Sequence, residues 1–104
     1  MFKTTLTIGL FDKDTGLQEV STQKAIRRIS ETVLNAGIFG ATMWECQGIY
    51  KMQSNGLIIR EPSIRIEFVE DLERDISGIV AELKTALNQE SIMVERCKAD
   101  VSFQ

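Results

Sequence analysis

The sequence predicts an α+β fold in which strands and helices follow one another in the order βαββαβ. Leu6, Ile8 and Leu10 alternate as in a strand with one buried face, and two later segments repeat apolar residues at helical spacing. Between these helical segments, two long alternating runs flank Asn55–Gly56, a strong signal for a hairpin. This order is that of the ferredoxin-like fold, a four-stranded antiparallel sheet with two helices on one face. The fold hosts many unrelated functions, so it assigns none.

The first strand is expected at about Lys3–Phe11 and the first helix at about Thr22–Asn35. Ser21 or Thr22 can cap this helix, because a hydroxyl there accepts a hydrogen bond from an otherwise unpaired helix N–H. Gly37 follows the helix and suits a left-handed C-terminal cap.

The second and third strands are expected at about Ala41–Met52 and Leu57–Val69. Pro62 cannot donate to a strand ladder, so it predicts an edge or a bulge in the third strand. The alternation places four residues of the second strand on one face: Trp44, Cys46, Tyr50 and Met52. The sheet face without helices is expected to carry Thr5, Thr7, Glu45, Gln47, Ile49, Arg65 and Glu67. Such a half-apolar face is either solvated or buried in a homo-oligomer.

The second helix is expected at about Asp71–Asn88, with Asp71 as its cap. It carries one apolar stripe formed by Leu72, Ile76, Ile79, Val80, Leu83 and Leu87. The fourth strand is expected at about Ile92–Val101, where the alternation is poor and a bulge or a covered edge would account for it.

The chain has 104 residues and a net charge of −3, which predicts one domain over residues 1–104. Its basic residues are interleaved with acidic ones, so the sequence does not favour nucleic-acid binding. It contains no apolar stretch long enough to span a membrane and no secretory signal, which predicts a cytoplasmic protein. Cys46 and Cys97 are therefore expected to be reduced and packed as small hydrophobic residues.

The chain contains no histidine, which removes the commonest general base and the commonest metal ligand. The glycines fit no phosphate-binding loop, and two cysteines cannot form a structural zinc site. Asp12 and Asp14 faintly resemble the start of a calcium loop, but Gly16 stands where a third oxygen ligand belongs and Gln23 where the bidentate glutamate belongs. The sequence thus predicts no catalytic residue, no metal site and no cofactor.

Two polar clusters lie where the chain changes direction, beside strongly apolar segments. The first comprises Arg60, Glu61 and Ser63, and the second comprises Gln89, Glu90 and Ser91. We expect either a structural hydrogen-bond network around Glu61 and between Arg60 and Glu90, within one chain or across a subunit boundary, or a ligand or interface site. The structural alternative predicts that Glu90→Gln lowers the melting temperature.

A family resemblance includes these clusters and spans roughly residues 40–103. Its motifs are Thr42–Tyr50, Gly56, Ile59-Arg60-Glu61 with Ser63, Asn88-Gln89-Glu90-Ser91-Ile92, and Val101 with Phe103. In these motifs the chain resembles a bacterial family of unknown function whose members are often described as candidate lipoproteins. The chain lacks the export signal and lipobox of the exported members. By architecture it also resembles PII-type signalling proteins, without their nucleotide-binding motifs. The resemblance implies no catalytic role.

These observations favour a non-enzymatic binding or regulatory domain that forms a dimer or trimer and whose unknown ligand is either a small molecule or a protein. The first alternative is a small inhibitor or accessory protein of a phage or mobile element, which acts by binding another protein. A second alternative is an enzyme that uses Arg60, Glu61 and Glu90.

Overall fold

A computed structural model describes all residues from 1 to 104 and contains the predicted fold. Its elements are β1 (Phe2–Gly9), α1 (Thr22–Asn35), β2 (Thr42–Lys51), β3 (Ile58–Glu70), α2 (Ser77–Ala86) and β4 (Met93–Lys98). The four strands form one antiparallel sheet in the order β2-β3-β1-β4. The ferredoxin-like α+β arrangement is therefore confirmed.

The first helix has the predicted bounds, and its ends have the predicted chemistry. The Ser21 hydroxyl accepts a hydrogen bond of 3.1 Å from the backbone N–H of Lys24. Gly37 follows with φ of 89°, a conformation that glycine adopts without steric cost. Ala25, Ile29 and Val33 form the buried side of this helix and pack on the sheet.

The second helix is shorter than predicted, because it begins at Ser77 and not at Asp71. Asp71 is exposed and caps nothing, whereas Oδ1 of Asp75 accepts a hydrogen bond of 2.9 Å from the Ser77 N–H. Leu72 is 79% exposed and lies outside the stripe that reaches the core. The segment before Ser77 matched the helical period in sequence, but of its apolar residues only Ile76 is buried in the core, whereas Leu72 is exposed.

The core contains fourteen apolar residues that pack between the helices and one face of the sheet: Leu6, Ile8, Leu10, Ala25, Ile29, Val33, Ile38, Ile64, Ile66, Phe68, Ile76, Ile79, Leu83 and Leu87. The predicted inward residues of β1, which are Leu6, Ile8 and Leu10, are among them. Each fully buried Leu or Ile stabilises the fold by roughly 1.5–3 kcal/mol relative to an exposed side chain.

The faces of β2 are the reverse of the prediction. Trp44 lies opposite Arg65, which in turn lies opposite Thr7 on the face that carries no helix, here called the open face. Cys46, Gly48 and Tyr50 share this face, because side chains alternate along a strand. Glu45, Gln47 and Ile49 lie on the helix side instead; Glu45 lies opposite the core residue Ile64.

The distal half of the β2–β3 hairpin extends past the helices, since both of its faces are exposed. Ile49 is 60% exposed on one face and Tyr50 is 47% exposed on the other. The hairpin contributes to an elongated shape of 47 × 24 × 24 Å. Pro62 belongs to the interior strand β3 and not to an edge; it lies just beyond the last residue pair of β1 and β3, Gly9 with Ser63, and its carbonyl accepts a hydrogen bond of 2.9 Å from the Leu10 N–H.

Candidate functional site

A cleft of about 610 Å³ lies at the end of the sheet where the chain leaves β1 and enters β4. The distal hairpin forms one wall, with Tyr50, Met52 and Ile59. The loop after β1 forms a second, with Phe11, Asp12, Lys13 and Gly16, and the segment before β4 forms a third, with Gln89, Glu90 and Ser91. Gly9 and Glu61 complete its lining. We call this cavity the Glu61 cleft.

The carboxylate of Glu61 is held by the backbone of β1. Its Oε2 atom accepts a hydrogen bond of 2.8 Å from the N–H of Phe11, the second residue after the end of β1. The residue is half-buried and lines the cleft. A backbone donor fixes a carboxylate more firmly than a mobile surface side chain does.

Gly9 provides the space that this carboxylate occupies. A Cβ atom added to Gly9 would lie 2.5 Å from Oε2 of Glu61 and 2.6 Å from Oε1. The φ angle of Gly9 is not positive, so the backbone itself does not demand glycine here. Glycine at this position therefore leaves room for Glu61 to pack over β1, and the local backbone conformation does not require it.

Gln89 anchors the third wall of the cleft to the end of β1. The residue is only 8% exposed, and its Nε2 donates a hydrogen bond of 2.7 Å to the carbonyl of Phe11. The same nitrogen lies 3.3 Å from the Leu87 carbonyl. The backbone N–H of Phe11 thus donates to Glu61 and its carbonyl accepts from Gln89, so the backbone of one residue holds two of the side chains that line the cleft.

Asn88 joins the loop after β1 to the end of α2. It adopts a φ of 47°, and its Nδ2 donates hydrogen bonds of 2.9 Å to Asp12 and 2.8 Å to Asp14. The amide of Asn88 is the main cause that lowers the pKa of Asp12 below its ordinary value, and the N–H of Asp14 adds to it. Asp12 is therefore an anion at neutral pH.

The structure brings together four of the six residues that the sequence singled out: Glu61, Gln89, Glu90 and Ser91. Ser63 is buried beside them, and its hydroxyl donates a 3.2 Å hydrogen bond to the backbone carbonyl of Glu61. Arg60 lies opposite Ile49 on the other face of the sheet. No ion pair links Arg60 to Glu61 or Glu90, so the expected network within one chain is wrong except for the hydrogen bond to Glu61.

Sequence reasoning missed Gly9, Phe11 and Tyr50 as cleft residues. Gly9 carried the only usable signal, since a glycine inside an apolar strand often marks a close approach by another group. Phe11 acts through its backbone, which no residue type reveals. Tyr50 lines the cleft only because the distal hairpin reaches the same end of the sheet as the end of β1, which the residue type does not indicate.

The cleft lining is predominantly acidic among its charged groups. Three carboxylates, those of Asp12, Glu61 and Glu90, accompany the single amino group of Lys13. Charges of one sign along a concave surface attract ions of the opposite sign. No group of three or more His, Cys, Asp or Glu side chains is arranged to hold a metal ion.

The open face next to the cleft carries a row of paired side chains. The Arg65 guanidinium lies 5.7 Å from the centre of the Trp44 ring and 3.1 Å from the Glu95 carboxylate. The two cysteines are free and also on this face; Cys46 is half-buried and Cys97 is exposed. The prediction that both are buried is wrong for Cys97, because β4 is an edge strand with only exposed residues.

Solved structures of known proteins resemble this chain in fold. A phage SAM lyase, solved in complex with S-methyl-5'-thioadenosine, has 21% identity and a TM-score of 0.72 over 93% of this chain and 80% of that one. The periplasmic divalent cation tolerance protein CutA from Archaeoglobus fulgidus has 10% identity and a TM-score of 0.66, over 100% and 89%. CutA1 from Pyrococcus horikoshii has 14% identity and a TM-score of 0.58, over 100% and 88%.

At these identities the likeness extends to the fold alone. No curated protein matches the chain. None of its helices has the length and apolar character needed to cross a membrane. Residues 3–103 match the family described as "Protein of unknown function (DUF3574)", which agrees with the predicted relation to a family of unknown function, and the chain therefore belongs to that family.

Proposed function

We propose that this chain is a self-associating binding domain whose small-ligand site is the Glu61 cleft. The observation that carries the proposal is the convergence of fixed polar groups on one cavity. Glu61 is held by the Phe11 N–H, and Gln89 is held by the Phe11 carbonyl. A concave site with a few fixed polar groups beside an aromatic ring is typical of small-molecule binding.

The ligand we propose first is an adenosine thioether. The phage SAM lyase, which has the same fold, was solved with S-methyl-5'-thioadenosine. The chemistry of the cleft suits such a compound, because carboxylates such as Glu61 and Glu90 accept hydrogen bonds from ribose hydroxyls. The ring of Tyr50, which is 47% exposed, offers a surface on which a base can stack.

Self-association is proposed through the distal hairpin. Its exposed apolar residues, here called the hairpin surface, are Trp44, Ile49, Tyr50, Met52, Leu57 and Ile58. Trp44, Tyr50 and Met52 lie on the open face of the hairpin and Ile49 on its other face, so large exposed apolar side chains are concentrated on this one projecting segment, which is typical of an interaction site. Tyr50 and Met52 also line the Glu61 cleft, so a second copy seated on the hairpin would exclude water from one wall of the site.

Calorimetric titration with S-methyl-5'-thioadenosine tests the binding. The wild-type protein and Glu82→Gln, a variant at an exposed carboxylate of α2 outside the cleft, should bind the nucleoside with equal affinity. Glu61→Gln should bind it at least tenfold more weakly, which corresponds to about 1.4 kcal/mol. Absence of saturable binding to the wild type, or equal binding to Glu61→Gln, would show that the cleft is not the nucleoside site.

Light scattering tests the association. The wild type should have the mass of a dimer or trimer at micromolar concentration, and the double variant Ile49→Ser, Ile58→Ser should have a lower mass. Leu34→Ser is the control, because Leu34 is 56% exposed on α1, away from the hairpin. A wild-type protein with the mass of one chain would refute this part of the proposal.

The second candidate function is an accessory or inhibitory protein of a phage or mobile element that binds another protein. The likeness to a phage protein and the apolar hairpin surface favour it. On this alternative the hairpin surface is free in solution, so a monomeric mass together with an unoccupied cleft supports it. The exposed thiol of Cys97 fits a reducing compartment, and we propose a cytoplasmic location for either function.

A further inference from the structure

We infer that Gly9 and Glu61 form a cation subsite in the Glu61 cleft, so that the preferred ligand carries a positive charge next to the Glu61 carboxylate. The inference rests on the proposed function and goes beyond it, since it predicts that a cationic relative of the neutral adenosine thioether binds more tightly than the thioether itself. It also concerns Gly9, a residue that makes no contact through a side chain of its own.

Gly9 leaves the space in which the Glu61 carboxylate lies. Its backbone conformation is open to any residue, yet an added Cβ would lie 2.5 Å from the Glu61 carboxylate. The carboxylate lies over the backbone of β1 and accepts the Phe11 N–H at 2.8 Å. An alanine at this position would push the carboxylate away from that donor. The absence of a side chain at Gly9 thus keeps one anion at one place in the cleft.

The groups around the Glu61 carboxylate leave its negative charge without a counter-charge. No arginine or lysine forms an ion pair with Glu61, so its negative charge is not neutralised within the chain. The other charged residues that line the cleft are Asp12 and Glu90, against Lys13 alone. The half-buried carboxylate therefore faces a cavity with an excess of negative charge, which favours a cation as the ligand.

The aromatic ring in the cleft is that of Tyr50, on the strand paired with that of Glu61. Tyr50 lines the same cleft, and the face of an aromatic ring attracts a cation. A compact alkylated cation, such as a sulfonium or quaternary ammonium group, makes contacts with a ring that a metal ion or a strongly hydrated amine does not make as well. The cleft thus combines a fixed carboxylate and a ring, the two groups that recognise such cations.

Two matched pairs of compounds test the inference. S-Adenosylmethionine and S-adenosylhomocysteine differ by one methyl group and by the positive charge on sulfur, and the first should bind about tenfold more tightly. Tetramethylammonium and tert-butanol differ mainly in charge. In amide NMR spectra, tetramethylammonium should cause saturable shifts at Gly9 and Phe11, whereas tert-butanol should not.

The variants separate charge from shape. Glu61→Gln keeps an oxygen that accepts the Phe11 N–H but loses the charge, so the preference for the cation should disappear. Gly9→Ala should weaken cation binding by about tenfold, since the carboxylate is displaced. Gly78→Ala is the control glycine, because nothing lies within 4 Å of its added Cβ and its φ is not positive. It should bind as the wild type does.

The outcomes distinguish this inference from the proposed function. If the charged and neutral compounds of each pair bind equally, or if Glu61→Gln keeps the preference, the cation subsite is refuted even where a nucleoside binds. If tetramethylammonium shifts the Gly9 and Phe11 amides in the wild type and not in Glu61→Gln, the subsite is supported even where S-methyl-5'-thioadenosine does not bind.

Discussion

Thr7 on β1 and Arg65 on β3 lie directly opposite each other on the open face, and each has a buried polar atom without a hydrogen-bond partner. These atoms are the hydroxyl oxygen of Thr7 and Nε of Arg65. Another nitrogen of Arg65 donates to Glu95 at 3.1 Å, while its guanidinium carbon lies 5.7 Å from the centre of the Trp44 ring. A buried polar atom without a partner destabilises the folded state, so these two atoms lower the free energy of unfolding.

Replacing Thr7 by valine should raise the free energy of unfolding by about 1 kcal/mol, because valine has the same shape and removes the unpaired hydroxyl. Urea denaturation of the wild type and the variant measures the difference. Thr5→Val is the matched control, since the Thr5 hydroxyl donates a hydrogen bond of 3.2 Å to Glu67. The control should lose stability. A loss of stability in Thr7→Val would mean that this hydroxyl has a partner.

Asn88→Gly should raise the pKa of Asp12 toward its ordinary value of about 3.9. Glycine keeps the positive φ of this position but removes the amide that chiefly lowers this pKa. Because the pKa is lowered in the folded state, the stability that Asp12 contributes is present above its unfolded pKa and is lost as the pH falls through its folded pKa.

An NMR titration of the Asp12 carboxyl between pH 6 and about pH 2 measures this change. The Asp75 carboxyl serves as an internal control. Its pKa is also lowered, mainly by the Ser77 N–H, and Asn88→Gly should leave it unchanged. Equal Asp12 titrations in both proteins would contradict the assigned cause.

The two cysteines should react with a thiol reagent at different rates, and Cys97 should react first. Cys97 is exposed on the edge strand β4, whereas Cys46 is half-buried on β2. Reactivity requires access as well as thiolate. Mass spectrometry of the partly labelled protein gives the order of modification. A non-reducing mass two protons below that of the reduced chain would show a disulfide and contradict the free state of both thiols.

Glu90→Gln should change the free energy of unfolding by less than about 0.5 kcal/mol, because Glu90 is exposed and forms no ion pair within the chain. This replaces the expectation from the sequence that the substitution lowers the melting temperature. Gln89→Ala, at the adjacent position, is the variant with which Glu90→Gln is compared. It removes the hydrogen bond to the Phe11 carbonyl and should cost about 1–3 kcal/mol. Thermal unfolding of both variants checks the pair, and a destabilised Glu90→Gln would restore the structural role.

The candidate site was predictable in part. Glu61 and Gln89 to Ser91 stood out because polar residues interrupted apolar segments where the chain turns, and the fold places them together. Arg60 stood out for the same reason but points to the other sheet face, since adjacent residues of a strand alternate. The part played by the Phe11 backbone had no signal, because every residue type carries an N–H and a carbonyl.

The sequence by itself determined the order of elements, the buried face of β1 and the caps of α1, because each depends on local periodicity or on a local hydrogen bond. Tertiary structure decided which face of β2 joins the open face, since both faces of that strand carry apolar residues and only pairing with β3 sets the register. It also decided where α2 begins, because Leu72, the first residue of the predicted stripe, is exposed and adds no packing that would stabilise a longer helix. The Glu61 cleft belongs to this second group, since its walls come from segments that are distant in the chain and meet only in the folded sheet.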